Sequence, residues 1–344
     1  MDGETRAENA LTRLLETRPW LLLDGATGTN LFAMGLEAGD APELWNVEAP
    51  EKIRALHDGF IEAGSDVILT NSFGGSSYRL RLHQAESRVR ELNRAAARIA
   101  REAADAAGRP VVVAGSVGPT GEILEPVGTL SEADAAAAFE EQMAGLLEGG
   151  VDVIWAETIS SEEEFRAAAA AAARLGAPFC GTLSFDTAGR TMMGVTPPGY
   201  ATLATGLPRA PLAIGANCGV GASDLLRTVL RITEAAPQAV VIAKGNAGVP
   251  KFVDGHIHYD GTPELMADYA VMARDAGARL IGGCCGTTPA HLVAMRAALS
   301  ERAPGDRPSL EAIAERIGPF SSESDGSDAT GEDDSRPRRR RRRG

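Results

Sequence analysis

The sequence predicts a closed barrel of eight parallel β-strands, each followed by an α-helix: a (β/α)8 TIM barrel. Three observations carry this expectation. Short β-branched or apolar runs alternate with helical stretches, the pattern of parallel βαβ units. Eight such units share about 280 residues, or about 35 each, which suits a barrel repeat. No early Gly-x-Gly-x-x-Gly supports the alternative, a doubly wound open sheet.

Strands are expected at 21–24, 67–70, 111–114, 151–156, 179–185, 212–217, 240–244 and 279–282. Helices are expected at 50–63, 87–107, 131–148, 161–175, 222–235, 263–276 and 289–299, with the fifth of the eight somewhere in 199–206. Several of them open on Ser or Pro, as helix starts do. The alanine runs at 135–138 and 167–173 are helix formers rather than membrane segments.

Composition narrows the class. The chain has 344 residues, 44% hydrophobic and 24% charged, as in an ordinary soluble globular protein. Its formal charge of -13 argues against a nucleic-acid binder, and no apolar run reaches the ~18 residues of a membrane span. Residues 1–16 are polar and charged, without the apolar core of a signal peptide. Four cysteines are too few for a disulfide framework, so a reducing, cytoplasmic setting is expected. The barrel is expected to fill residues 1–302, and 303–344 to be a disordered tail. Residues 321–335 carry six acidic and no basic groups, and Arg336 and Arg338 to Arg343 follow. A self-neutralising appendix is one reading of that tail; docking to RNA or to an acidic partner is the other.

Reactive residues of a barrel gather where strands hand over to helices. The strand ends read Asp24-Gly25-Ala26-Thr27-Gly28, Thr70-Asn71-Ser72, Gly115-Ser116, Glu157-Thr158, Asn217-Cys218-Gly219, Lys244-Gly245-Asn246 and Gly282-Gly283-Cys284-Cys285-Gly286. Cys218, Cys284 and Cys285 converging there suggest zinc with three protein ligands and one open position, the catalytic form of a zinc site. Adjacent cysteines face one ion only if the strand has ended in an irregular turn, which the flanking glycines permit. A vicinal disulfide and a lone nucleophilic cysteine are the alternatives, although no histidine lies at a strand end to serve as base. Cys180, mid-strand, reads as a small buried hydrophobe. His256 and His258 could form a metal pair or simply line a surface loop.

These motifs, with Thr70-Asn71-Ser72-Phe73 and Gly118-Pro119, resemble the homocysteine S-methyltransferases over roughly residues 19–302. That family spans betaine–homocysteine methyltransferase, S-methylmethionine-dependent enzymes and the homocysteine module of cobalamin-dependent methionine synthase. The resemblance implies a cytoplasmic enzyme forming methionine, with Cys218, Cys284 and Cys285 as zinc ligands. It implies that Asp24 and Glu157 hold the homocysteine ammonium and that the backbone of Gly25, Ala26 and Thr27 receives its carboxylate. Asn71 joins the substrate site, and Trp45 is similar to a tryptophan of onium-using relatives. A helix N-terminal carboxylate is the bland reading of Glu157.

The implied partners are homocysteine and a methyl donor, with no membrane or nucleic acid and with oligomer formation open. The donor is either a betaine-type onium, held by aromatic rings, or methylcobalamin on a separate corrinoid protein. Gly74 and Thr158 stand where the betaine enzyme carries aromatics, whereas Glu157-Thr158 looks more like the methionine synthase module. The rival functions are a noncatalytic zinc or thiol sensor and a metal-dependent barrel hydrolase using His256 and His258.

Overall fold

Each apolar run of the sequence becomes a strand of one parallel sheet. The computed structural model describes residues 9–249, 251–253 and 256–326. The first seven strands are β1 (Leu21–Leu22), β2 (Val67–Leu69), β3 (Val112–Val117), β4 (Val153–Ile159), β5 (Phe179–Leu183), β6 (Ala213–Cys218) and β7 (Val241–Gly245). A small antiparallel hairpin of β8 (Lys251–Val253) and β9 (His256–His258) follows, and β10 (Ala278–Gly283) is the eighth barrel strand. The order β1-β10-β7-β6-β5-β4-β3-β2 leaves β1 beside β2, and a parallel bridge between Leu23 and Val67 closes the barrel. The fifth helix, Pro197–Thr205, starts two residues before its expected place, capped by Thr196 with proline in its first turn.

Neighbouring strand residues point to opposite faces, and the core divides accordingly. Leu22, Ile68, Val113, Ile154, Ile214 and Ile281 pack outward against the helices. Leu21, Leu23, Val67, Leu69, Val112, Val153, Trp155, Cys180, Ala213, Ile242 and Leu280 fill the barrel interior. Cys180 is fully buried there, as a core residue.

A helix that the sequence reading overlooked plugs the bottom of this interior. Asn9 and Thr12 form a reciprocal cap on Ala10–Thr17, and Leu11, Leu14 and Leu15 then reach the inner layer. Each leucine so buried stabilises the fold by roughly 1.5–3 kcal/mol. At the seam, where β1 is only two residues long, the buried Asp66 takes over. Its carboxylate accepts from Leu22 N (2.9 Å) and Arg296 Nη1 (2.7 Å) and is paired with Arg18.

Residues 303–326 differ from the disordered tail expected there. Residues beyond 302 continue into a helix, Leu310–Arg316, whose Ile313 is fully buried, and the chain then runs as a strap to residue 326. The strap lies on the helix Ala222–Ala235. Asp224 and Arg227 form a buried ion pair there (2.7 Å); Asp224 Oδ2 accepts from Ser321 N, and Arg227 donates to the Ser322 carbonyl and stacks on Phe320. Buried charges require such partners, and main-chain groups supply them, so polar side-chain composition gave no hint of order. Residues 327–344, with the arginine run, lie outside the described residues. Among the described residues, no helix is long and apolar enough to cross a membrane.

Candidate active site

Moving up the inner face of each strand, the apolar filling turns polar. Ser116 follows Ala114 at two residues, Glu157 follows Trp155, Thr182 follows Cys180, and Lys244 follows Ile242. The barrel therefore ends in a buried polar layer beneath its C-terminal rim.

On that rim the sulfur atoms of Cys218, Cys284 and Cys285 all lie within 4.8 Å of one another, and they are the one such group of potential metal ligands among the described residues. The Cys218 and Cys285 sulfurs are 3.8 Å apart. A disulfide needs about 2.05 Å, and all four cysteines are free. A tetrahedral ion with bonds of about 2.3 Å to sulfur sets its ligands about 3.8 Å apart. The spacing therefore fits a metal ion and not a disulfide.

Local backbone geometry produces this convergence. Cys218 sits at φ +60°, in the left-handed region, where β6 ends. Cys284 and Cys285 follow β10 in an irregular turn fixed by Cys284 N to the Gly245 carbonyl (2.7 Å) and Cys285 N to Asn246 Oδ1 (3.0 Å). Gly286, at φ +79°, is obligatory, because a Cβ there would fall 2.4 Å from the Tyr259 ring. The Tyr259 hydroxyl and the Cys218 and Cys284 thiols hydrogen-bond to Cys285. The two cysteine contacts lead in holding Cys285 below its ordinary value. Hydrogen bonds to Cys284 and Cys285, with burial, push Cys218 up.

Asn217 ties the rim together. Its Oδ1 accepts from Thr158 N (2.8 Å) and Thr182 Oγ1 (2.6 Å), and its Nδ2 donates to Thr158 Oγ1 (2.7 Å) and toward Cys284 Sγ (3.8 Å). Thr158 is held at φ +63°, a strained conformation for a β-branched residue, beside a register shift in β4. Glu157 immediately precedes it and accepts from Ser116 Oγ (2.5 Å). Burial pushes Glu157 up to about 7 against the pull of Lys244.

Asp24 is less available than expected. Lys244 Nζ lies 2.8 Å from its Oδ1, Leu69 N donates to its Oδ2 (2.7 Å), and both side chains are almost wholly buried. Burial pulls Lys244 down, but Asp24, Glu157 and Cys284 outweigh it and hold the lysine at about 12, a permanent cation. Sequence reasoning placed Lys244 at a strand end without a role; its position two residues above the inward Ile242 was the available signal.

The other expected site residues divide. Gly25 is packed so tightly that a Cβ would lie 2.9 Å from Phe60 and Thr287. Ala26 N makes a long bond (3.3 Å) to the Thr287 carbonyl, and Thr27 opens the short helix Thr27–Ala33. Asn71 Nδ2 instead braces the neighbouring loop, bonding the Pro42 carbonyl (2.7 Å) and Asn46 Oδ1 (3.0 Å). The Trp45 ring is covered by Lys52, whose Nζ is 4.1 Å from the ring centre. His256 and His258 occupy β9, and their side chains lie outside the described residues.

Comparison with known proteins places the whole barrel in a family. Crystal structures of the Escherichia coli homocysteine methyltransferase MmuM, in oxidized and metallated forms, match with a TM-score of 0.68 at 28% identity, over 84% of this chain and 99% of that one. A methyltransferase from Methanosarcina mazei shares the fold, with a TM-score of 0.54 at 15% identity over 85% of this chain and 98% of that one. The family model for homocysteine S-methyltransferase matches residues 21–299, most of the chain and every strand of the barrel. The chain belongs to the homocysteine S-methyltransferase family.

Proposed function

We propose that the protein is a zinc-dependent homocysteine S-methyltransferase that forms methionine by methylating the homocysteine thiolate. The meeting of Cys218, Cys284 and Cys285 at the barrel mouth carries this reading. Three sulfur donors suit Zn2+ and not the oxygen-seeking cations. When bound, zinc would hold a substrate thiol as thiolate at neutral pH, where a free thiol is only a few per cent ionised.

The chain's own groups do the rest. Tyr259 and Asn217, each hydrogen-bonded to a cysteine sulfur, orient the ligand set. Glu157, with Asp24 behind it, receives the ammonium. At the turn Gly25-Ala26-Thr27 the N–H of Thr27, in the first helical turn and without an intrahelical acceptor, is offered to the carboxylate. The substrate sulfur lone pair then forms the new bond to the methyl carbon as the donor's bond breaks, and that electron pair leaves with the donor.

The donor is a betaine-type onium or methylcobalamin on a corrinoid protein. Lys52 over Trp45 removes the ring best suited to an onium and favours the second. Phe32, Phe73, Ile123, Val127 and Met192, all exposed in segments after barrel strands, suit a protein-borne methyl group.

Cys285→Ala is the test. It should abolish zinc binding, measured by elemental analysis, and methionine formation, while the chain still folds; retained zinc and full activity would overturn the reading. Betaine, S-methylmethionine and methylcobalamin assayed side by side assign the donor. Zinc and homocysteine binding without transfer from any of them would mark a sensor. Loss of zinc on replacing both His256 and His258 with Ala would mark the hydrolase.

A further inference from the structure

The two carboxylates of the polar layer are not equivalent. Asp24 is 1% exposed, and both of its oxygens are engaged, one by the Lys244 ammonium and one by Leu69 N. Glu157 is 9% exposed, and among the described residues Ser116 alone hydrogen-bonds its carboxylate. The lysine is as deeply buried as its partner, at 3% of its side-chain surface. A buried ammonium held this way does not leave without stranding a charge.

We propose that Lys244 is a specificity-determining residue: its ammonium fills at Asp24 the place a substrate amino group would take. This rests on the S-methyl transfer reading and refines its substrate class. Glu157 is then the single carboxylate open to an incoming ammonium. The pocket accordingly separates homocysteine only weakly from a thiol acid of the same length without the amino group. Charge supports the assignment, since the one internal cation balances one of the layer's two carboxylates. A substrate ammonium thus meets a single uncompensated carboxylate.

The test compares homocysteine with 4-mercaptobutanoate, by kcat/KM and by dissociation constants from titration calorimetry, in the zinc-loaded full chain and its variants. In Lys244→Met, the homocysteine ammonium can pair with the vacated Asp24. The preference for homocysteine should then rise about ten- to a hundredfold, the worth of a charged hydrogen bond away from water. In Glu157→Gln, which leaves the Asp24–Lys244 pair intact, the two thiols should bind equally. An unchanged or reduced preference in Lys244→Met, or preference retained in Glu157→Gln, overturns the proposal. If the wild-type chain transfers a methyl group to neither thiol, the activity reading fails. The ratio of dissociation constants still decides the role of Lys244.

Discussion

Asn217→Ala probes how far the rim depends on one side chain. The substitution removes two acceptor contacts and two donor contacts at once. Thr182 Oγ1, in a fully buried residue, loses its partner, and so does the half-buried Thr158 N. An orphaned buried polar group costs roughly 1–3 kcal/mol. Thr158 is partly open to water, so its share falls at the low end. The expected loss of folding stability is therefore about 2–4 kcal/mol. Part of the strain at Thr158, of order 1–3 kcal/mol, is released if its backbone relaxes, but that movement displaces Glu157. Metal affinity should fall about 10- to 100-fold, as for loss of a residue that orients ligands. Chemical denaturation of the metal-free chain and a zinc competition titration measure the two effects. Asn217→Asp keeps the acceptor for Thr158 N and Thr182 Oγ1 and should lose less stability. A loss below about 1 kcal/mol with unchanged zinc affinity would refute the reasoning, because four contacts of this kind cannot all be idle.

Asp66→Ala should destabilise the chain by about 1–3 kcal/mol, since it leaves the buried Leu22 N without its acceptor and unpairs Arg18 and Arg296, each about a third exposed; a denaturation midpoint close to wild type would contradict that. Glu157, raised by burial from 4.5 to about 7, favours its protonated form in the folded chain. Its contribution to stability is present below pH 4.5 and is lost as pH rises through 7. Homocysteine binding, which needs the ionised form, should strengthen over the same window. Glu157→Gln should remove both trends, checked by denaturation and calorimetry across that range. Truncation after Arg316 removes the strap partners of Asp224 and Arg227 and should lower the unfolding temperature. An unshifted transition would mean that the ion pair is equally well satisfied by water.

What the sequence disclosed follows from the range of the interactions involved. Strands and helices were legible because periodicity is local: Ile242 and Lys244 share a face whatever surrounds them. The cysteines were legible because a strand-end position in a closed barrel fixes a residue's whereabouts without side-chain detail. The N-terminal helix was missed although Leu11, Leu14 and Leu15 have helical spacing, because eight residues make a marginal helix in isolation and gain stability only beneath the barrel. The strap was missed because its recognition uses main-chain groups of Ser321 and Ser322, which composition does not encode. The pairing of Asp24 with Lys244 was missed for a further reason. It joins residues 220 positions apart, on strands separated only by β10. Family resemblance assigned Asp24 to the substrate, but resemblance transfers a residue without its neighbours. The lysine beside it, held by a buried ion pair, alters what the same aspartate is free to bind.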